Sequence, residues 1–272
     1  MLRAGTGSGV VEGVAFEQVG EGEPLLLLHG TGGTRGHWKP LVPMLAKERT
    51  LILVDLPEHG ESEPPPRGTP HTPIGYAEVL AVFLDRLGID RVHVAGNSVG
   101  GWTALEVAKL GRARSVAAIS PAGLWPREDP LRSVFQIWSQ HKMGQVFAPL
   151  TPPLMRRDLG RSVLLRGTIA QPRKMPAEDA VVMAQEFAHT PGFKRHLAET
   201  RRERFRGGTG IDVPVTIAWG DKDSLLPRSA RREDELPPRT QVVVLPNCGH
   251  IPMWDEPELV ARTILGAAAV PA

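Results

Sequence analysis

A chain of 272 residues with a formal net charge of +2 is long enough for one large domain carrying an insertion, and its near-neutral balance gives no argument for nucleic acid or an anionic membrane, so neither is expected as a partner. Apolar residues make up 41% and charged residues 23%, the balance of an ordinary globular protein. Cys248 is the single cysteine, which excludes an internal disulfide, and with no apolar run of ~18 residues and no signal-peptide core at the N-terminus a cytoplasmic protein is expected.

From the N-terminus onward, short β-like runs at 10–19, 25–28, 51–54, 92–95, 116–119, 215–219 and 242–245 are each closed by turn residues. Several are apolar at every position, as strands buried on both faces of a parallel sheet are. The first run alternates instead, which predicts an edge strand or hairpin arm. Helical patterns lie between the strands at 37–47, 73–87, 102–110 and 257–265. This alternation predicts an α/β fold, a mostly parallel sheet flanked by helices. The rhythm breaks between Ala122 and Asp212. About ninety residues without a strand do not make a bare loop in a compact domain. Val134, Phe135 and Trp138, then Val181, Met183, Ala184 and Phe187, fall there at helical spacing. Thr151-Pro152 and Thr190-Pro191 read as helix starts. A core of residues 1–122 and 212–272 with a helical insertion at 123–211 is expected.

The residues that carry chemistry follow the strand runs. Gly96-Asn97-Ser98-Val99-Gly100 fits G-x-S-x-G between a strand and a helix, the context that gives this short pattern meaning. A tight turn there holds the Ser98 hydroxyl clear of the surface at a helix N-terminus, where backbone N–H groups favour developing negative charge. Glycine at 96 and 100 leaves the turn room.

A serine hydroxyl needs a base within hydrogen-bond reach. His250 follows the last strand run, so it reaches the same carboxyl edge of the sheet as Ser98. The base in turn needs an acceptor to fix its tautomer. Trp219-Gly220-Asp221-Lys222-Asp223 offers two carboxylates after the preceding strand. Spacing slightly favours Asp223, leaving Asp221 to stabilise the turn, and the order Ser98, Asp223, His250 is one of the known triad orders. In His29-Gly30-Thr31-Gly32-Gly33, the backbone N–H of Thr31 is placed to join that of Val99 as an oxyanion hole. The same glycines do not form the G-x-G-x-x-G loop of a dinucleotide site.

Four loops after four strands, supplying nucleophile, base, acid and oxyanion donors, resemble the α/β-hydrolase superfamily over essentially the whole chain. Leu28-His29-Gly30, Asp55-Leu56-Pro57-Glu58-His59-Gly60, Trp219-Gly220-Asp221-Lys222-Asp223 and Gly249-His250 are similar to that family's landmarks. The resemblance implies an eight-stranded sheet with a cap inserted between the sixth and seventh strands. It also implies an acid at the last position of G-x-x-D, which is Asp223 here. Glu58 departs from the pattern, because many relatives have glycine at that place.

Relatives that open epoxides or remove halide put aspartate at the elbow, so Ser98 points to acyl transfer. The expected activity is hydrolysis of a carboxylic ester, lactone or thioester of a small apolar substrate through an acyl-enzyme. The alternatives are a carbon–carbon hydrolase of the meta-cleavage-product type and a triad-retaining small-molecule receptor. Gly96-Asn97-Ser98-Val99-Gly100-Gly101-Trp102 and Ser120-Pro121-Ala122-Gly123-Leu124-Trp125 are similar to the first of these. That group commonly has tryptophan after its histidine, and Ile251 stands there instead. Trp125, Phe135, Trp138 and Met143 are candidate pocket residues. No cofactor is implied. His29 and His59 are expected to hold loops together rather than ligate metal, since no H-E-x-x-H or Cys/His cluster exists, and Cys248 is expected to fill its loop.

Overall fold

A computed structural model describes residues 6–126 and 131–269. Positions 1–5, read above for a leader, and the ends of the expected insertion and core at 127–130 and 270–272 lie outside the described residues. Eight strands form one sheet: β1 (Gly7–Val11), β2 (Val14–Val19), β3 (Pro24–Leu28), β4 (Thr50–Val54), β5 (Val92–Asn97), β6 (Ala113–Ile119), β7 (Val215–Gly220) and β8 (Thr240–Leu245). Their order across the sheet is β1-β2-β4-β3-β5-β6-β7-β8. All neighbours from β4 to β8 run parallel, while β2 pairs antiparallel with both β1 and β4. The run 10–19 is therefore a hairpin. Its turn is Glu12-Gly13, with φ of 49° and 77°, the left-handed pair that a two-residue hairpin loop requires.

Strand β3 shows why the central runs read as unbroken leucine. Leu26 and Leu28 enter the core layer shared with α2 (Pro73–Arg86) and α3 (Val99–Lys109). Leu25 and Leu27 enter the opposite layer with Trp38, Leu45 and α9 (Pro257–Ala269). Successive side chains point to opposite faces, and both faces are covered. Each buried leucine contributes about 1.5–3 kcal/mol by leaving water, so β3 anchors both layers at once. The helix expected at 37–47 is much shorter. A 3-10 turn at Arg35–Trp38 is followed by the single turn α1 (Val42–Leu45), because Pro40 supplies no amide hydrogen and stops the first turn from propagating.

Between β6 and β7 the chain forms α4 (Leu131–Val146), α5 (Thr151–Met155), α6 (Asp158–Leu164), α7 (Ala177–His189) and α8 (Phe193–Thr200). Two expected starts shift. Leu150 caps α5, leaving Thr151 inside it with its hydroxyl on Phe147 O, and Gly192 rather than Thr190 precedes α8. None of the described helices is long and apolar enough to cross a membrane. The parallel strands all send their carboxyl ends to one edge, where Leu28 pairs beside Gly96, Asn97 beside Ile119, and Gly220 beside Leu245. The loops that leave this edge build the site.

Candidate active site

Ser98 sits between β5 and α3 with φ 57° and ψ −118°, a conformation that costs an L-residue on the order of 1–3 kcal/mol unless its surroundings impose it. They do. Ser98 N–H donates to Ile119 O (2.9 Å), and Ser98 O accepts from the N–H groups of Trp102 (3.1 Å) and Ala122 (2.9 Å). A Cβ on Gly96 would lie 2.1 Å from Gly100 O, and one on Gly100 would lie 2.2 Å from Leu28 O. The two glycines are thus demanded by the close approach of backbone on either side of the turn. The result is a hydroxyl at the N-terminus of α3.

His250 and Asp223 meet across the loops after β8 and β7. The His250 Nδ1–H donates to Asp223 Oδ2 at 3.0 Å, and both residues are buried. Asp223 Oδ1 accepts from the N–H groups of Leu225 (3.0 Å) and Leu226 (2.9 Å). Burial pushes the Asp223 carboxyl up, but the His250 ring and these hydrogen bonds outweigh it and hold the group below its ordinary value. With Nδ1 donating, the lone pair of a neutral ring is at Nε2. That atom is buried and has no hydrogen-bond partner, Ser98 Oγ included. Ser98 and His250 nevertheless line the same cavity, and a nucleophile–base contact commonly tightens only when substrate binds. Asp221 is exposed and accepts from Cys248 N–H (3.1 Å), a turn-holding contact.

Two residues that sequence reasoning passed over hold this geometry. Asn97 donates from Nδ2 to Ile119 O (3.1 Å) and to His250 O (2.9 Å), tying the histidine loop to the serine turn. Asp255 is fully buried and accepts from the N–H groups of Gly249 (2.7 Å), Ala170 (3.1 Å) and Gln171 (2.6 Å). It fastens the same loop to the insertion. A lone Asn inside G-x-S-x-G and an Asp before a helix gave no signal of either job.

The shared cavity encloses about 510 Å³, and its walls are mainly apolar side chains from the insertion, among them Ile137, Met143, Phe147, Met183 and Phe187. A second cavity of about 40 Å³ lies beside it, bordered by Thr31, Ser98, Val99 and Trp125. Thr31 and Ser98 touch both. Of the four expected pocket residues, Met143 lines the large cavity and Trp125 the small one. Phe135 and Trp138 line neither. They rest against each other with ring centroids 6.3 Å apart, 67% and 44% exposed. The inward stripe of α4 runs through Ile137, Gln140, Met143 and Gly144, and the 3.6-residue period turns 135 and 138 away from it.

Residues 25–263 match the alpha/beta hydrolase family. The chain belongs to that family. The chain is 31% identical over 260 residues to the dihydrolipoyllysine-residue acetyltransferase component of an acetoin cleaving system from Pseudomonas putida, covering 92% of this chain but only 65% of that relative's length. It is 29% identical over 189 residues to an epoxide hydrolase of Mycobacterium tuberculosis, covering 66% of this chain and 87% of that relative. Among solved structures, a membrane phospholipase A described as a bacterial virulence factor superposes with a TM-score of 0.73 at 26% identity, covering 98% of this chain and 88% of that one.

Behind the Thr31 loop the chain packs four buried histidines. His29 donates from Nδ1 to Gly30 O (2.8 Å) and accepts Leu56 N–H at Nε2 (2.9 Å), and His59 donates from Nδ1 to Pro57 O (3.0 Å). His29 thereby ties its loop to the loop after β4, while the bond of His59 stays within its own loop. No group of three His, Cys, Asp or Glu among the described residues is arranged to hold a metal ion. Cys248 Sγ donates to Pro246 O (3.3 Å), and burial pushes its thiol up to about 12, so it is inert filler.

Burial lowers all four histidines, helped by their mutual proximity at all but His59: His37 and His59 to about 4, His196 to about 3, His29 well below its ordinary value. An unfolded chain takes up these protons near pH ~6.5, whereas the native fold refuses them until far lower pH, so stability falls as pH drops through that window. Each histidine contributes a slope of ~1.4 kcal/mol per pH unit. The melting temperature is expected to be flat above pH 7 and to fall steeply between about pH 6 and 4. His59→Gln should remove about a quarter of that slope. A melting temperature unchanged down to pH 4 would contradict the neutral cluster.

Proposed function

We propose that this hydrolase is a serine esterase that cleaves a carboxylic ester, lactone or thioester of an apolar small molecule through an acyl-enzyme. Ser98 Oγ attacks the carbonyl carbon and passes its proton to His250 Nε2. Asp223 keeps the ring in the required tautomer and stabilises the imidazolium. The backbone N–H groups of Thr31 and Val99 receive the oxyanion. Collapse expels the alcohol or thiol, which takes the proton from His250, and a water molecule then repeats the sequence on the acyl-enzyme. The insertion at 123–211 serves as the cap.

The observation that supports this reading best is the His250 ring. Its Nδ1 is committed to Asp223 at 3.0 Å, and its unpartnered Nε2 belongs to a residue that shares a cavity with Ser98. The elbow hydroxyl also favours acyl chemistry over the epoxide opening named for one relative, since that reaction uses an elbow carboxylate. A cavity of about 510 Å³ falls in the range of sites that enclose most of a small organic molecule, and its apolar walls select the substrate class.

A fluorophosphonate probe should label this hydrolase once, at Ser98, and mapping the labelled peptide tests the reading directly. Labelling elsewhere, or none, would sink it. The acetyltransferase named among the relatives favours a second outcome from the same acyl-enzyme, in which a thiol rather than water accepts the acyl group. Partition of product between acid and thioester when dihydrolipoamide is added separates the two.

A further inference from the structure

Glu58 has φ 58°, a left-handed conformation that favours glycine. Its carboxylate is also buried at 4% exposure. A strained backbone and a desolvated charge at one residue point to a role that neither turn geometry nor packing requires. The carboxylate accepts from the Tyr76 hydroxyl at Oε1 (2.7 Å) and from His71 Nδ1–H at Oε2 (2.7 Å). It also abuts α8, where a Cβ on Gly192 would lie 2.0 Å from Oε2.

The hydrogen bonds have a single direction. Tyr76, the chain's one tyrosine, donates to Glu58, so towards His196 it accepts. His196 Nδ1 lies 3.1 Å from His71 O and 2.9 Å from Tyr76 Oη. A carbonyl only accepts, so Nδ1 carries the hydrogen. The ring is neutral in its buried place, which leaves a lone pair on Nε2, and Thr31 Oγ1 donates to it at 3.1 Å. Tyr76 and His196 stack at 5.3 Å with a 16° tilt, which fixes the ring plane. The chain of bonds thus starts at a buried carboxylate on the Asp55 loop and passes through α2 and α8. It ends on the one residue of the His29–Gly33 loop that borders both cavities together with Ser98.

We propose that Glu58, Tyr76 and His196 are positioning residues that orient Thr31, and so set one oxyanion donor of the esterase reading on which this inference rests. A clamp serving only to hold α8 down would not need the last bond, since Glu199 Oε2 already accepts His71 N–H at 2.8 Å. The bond to Thr31 extends the same network into the site. By this route the insertion controls the geometry of the oxyanion site without touching the substrate.

The test is the second-order rate of fluorophosphonate labelling at Ser98, with kcat and KM on an ester substrate, for Thr31→Val, His196→Phe, Tyr76→Phe and the Thr31→Val/His196→Phe double variant. A donor displaced by a fraction of an ångström slows the step by ~10- to 100-fold. Each single variant should lose labelling rate and kcat in that range while KM changes less than about twofold. The double variant should be no slower than the slower single, because both act through one hydroxyl. Thr31→Val at the wild-type rate, or a double variant slowed by the product of the singles, overturns the inference. If His196→Phe does not fold, Thr31→Val and Tyr76→Phe decide it alone. Wild type unlabelled at Ser98 overturns the esterase reading itself, an outcome distinct from a labelled wild type whose Thr31→Val variant is unaffected.

Discussion

Ser98→Ala should lower ester hydrolysis by on the order of 10⁶ in kcat, with the melting temperature unchanged within error. The fold does not depend on the hydroxyl: the turn is held by Ser98 N–H and C=O and by backbone packed against Gly96 and Gly100. Alanine keeps the left-handed strain at φ 57°, so the variant gains nothing in stability. Ser98→Gly, equally inactive, should be more stable than Ser98→Ala by about 1 kcal/mol, because glycine adopts that conformation freely. His250→Ala should cost nearly as much activity as Ser98→Ala, and the double variant no more than either, since nucleophile and base act as one unit. Steady-state kinetics and calorimetry on the four proteins check both halves. Substantial residual turnover in Ser98→Ala would mean another group supplies the nucleophile.

The sheet and its edge were legible because parallel strands buried on both faces must be apolar at every position, as Leu25 to Leu28 are. The loops that follow such strands must then share one rim. That logic assigns Ser98, Asp223 and His250 to one edge from the sequence alone. It failed where local pattern is silent about rotation or approach. Helical spacing identified α4 but did not say which stripe faced inward, and so Phe135 and Trp138 were expected in a cavity that they do not line. Proline at 40 was outweighed by the apolar pattern around it, and a long helix was expected where two short turns stand. Asn97, Asp255 and the Glu58–Tyr76–His196 chain were invisible for a different reason. Each works through partners far away in sequence, such as His250 for Asn97 and Thr31 for His196, and a one-dimensional reading has no period that announces a long-range polar contact.

The two aspartates of Trp219-Gly220-Asp221-Lys222-Asp223 should separate by several orders of magnitude. Asp223→Asn is expected to lose ~10⁴ in kcat, and Asp221→Asn only a few-fold at most. The difference follows from which atoms are already committed. Asp223 Oδ1 accepts two backbone N–H groups, from Leu225 and Leu226, so an asparagine must place its carbonyl oxygen there and turn its NH₂ toward His250. A donor then faces Nδ1. The ring can meet it only by moving its own hydrogen to Nε2, the tautomer that cannot take a proton from Ser98. At Asp221 the bond is from Cys248 N–H to Oδ1, and an asparagine carbonyl accepts it equally well. The loss in Asp223→Asn should therefore appear in kcat with little change in KM, and fluorophosphonate labelling should slow in parallel. Should Asp221→Asn prove the more damaging, the carboxylate that orients His250 in solution is not the one at 3.0 Å from its Nδ1, and the acid of the proposed triad must be reassigned.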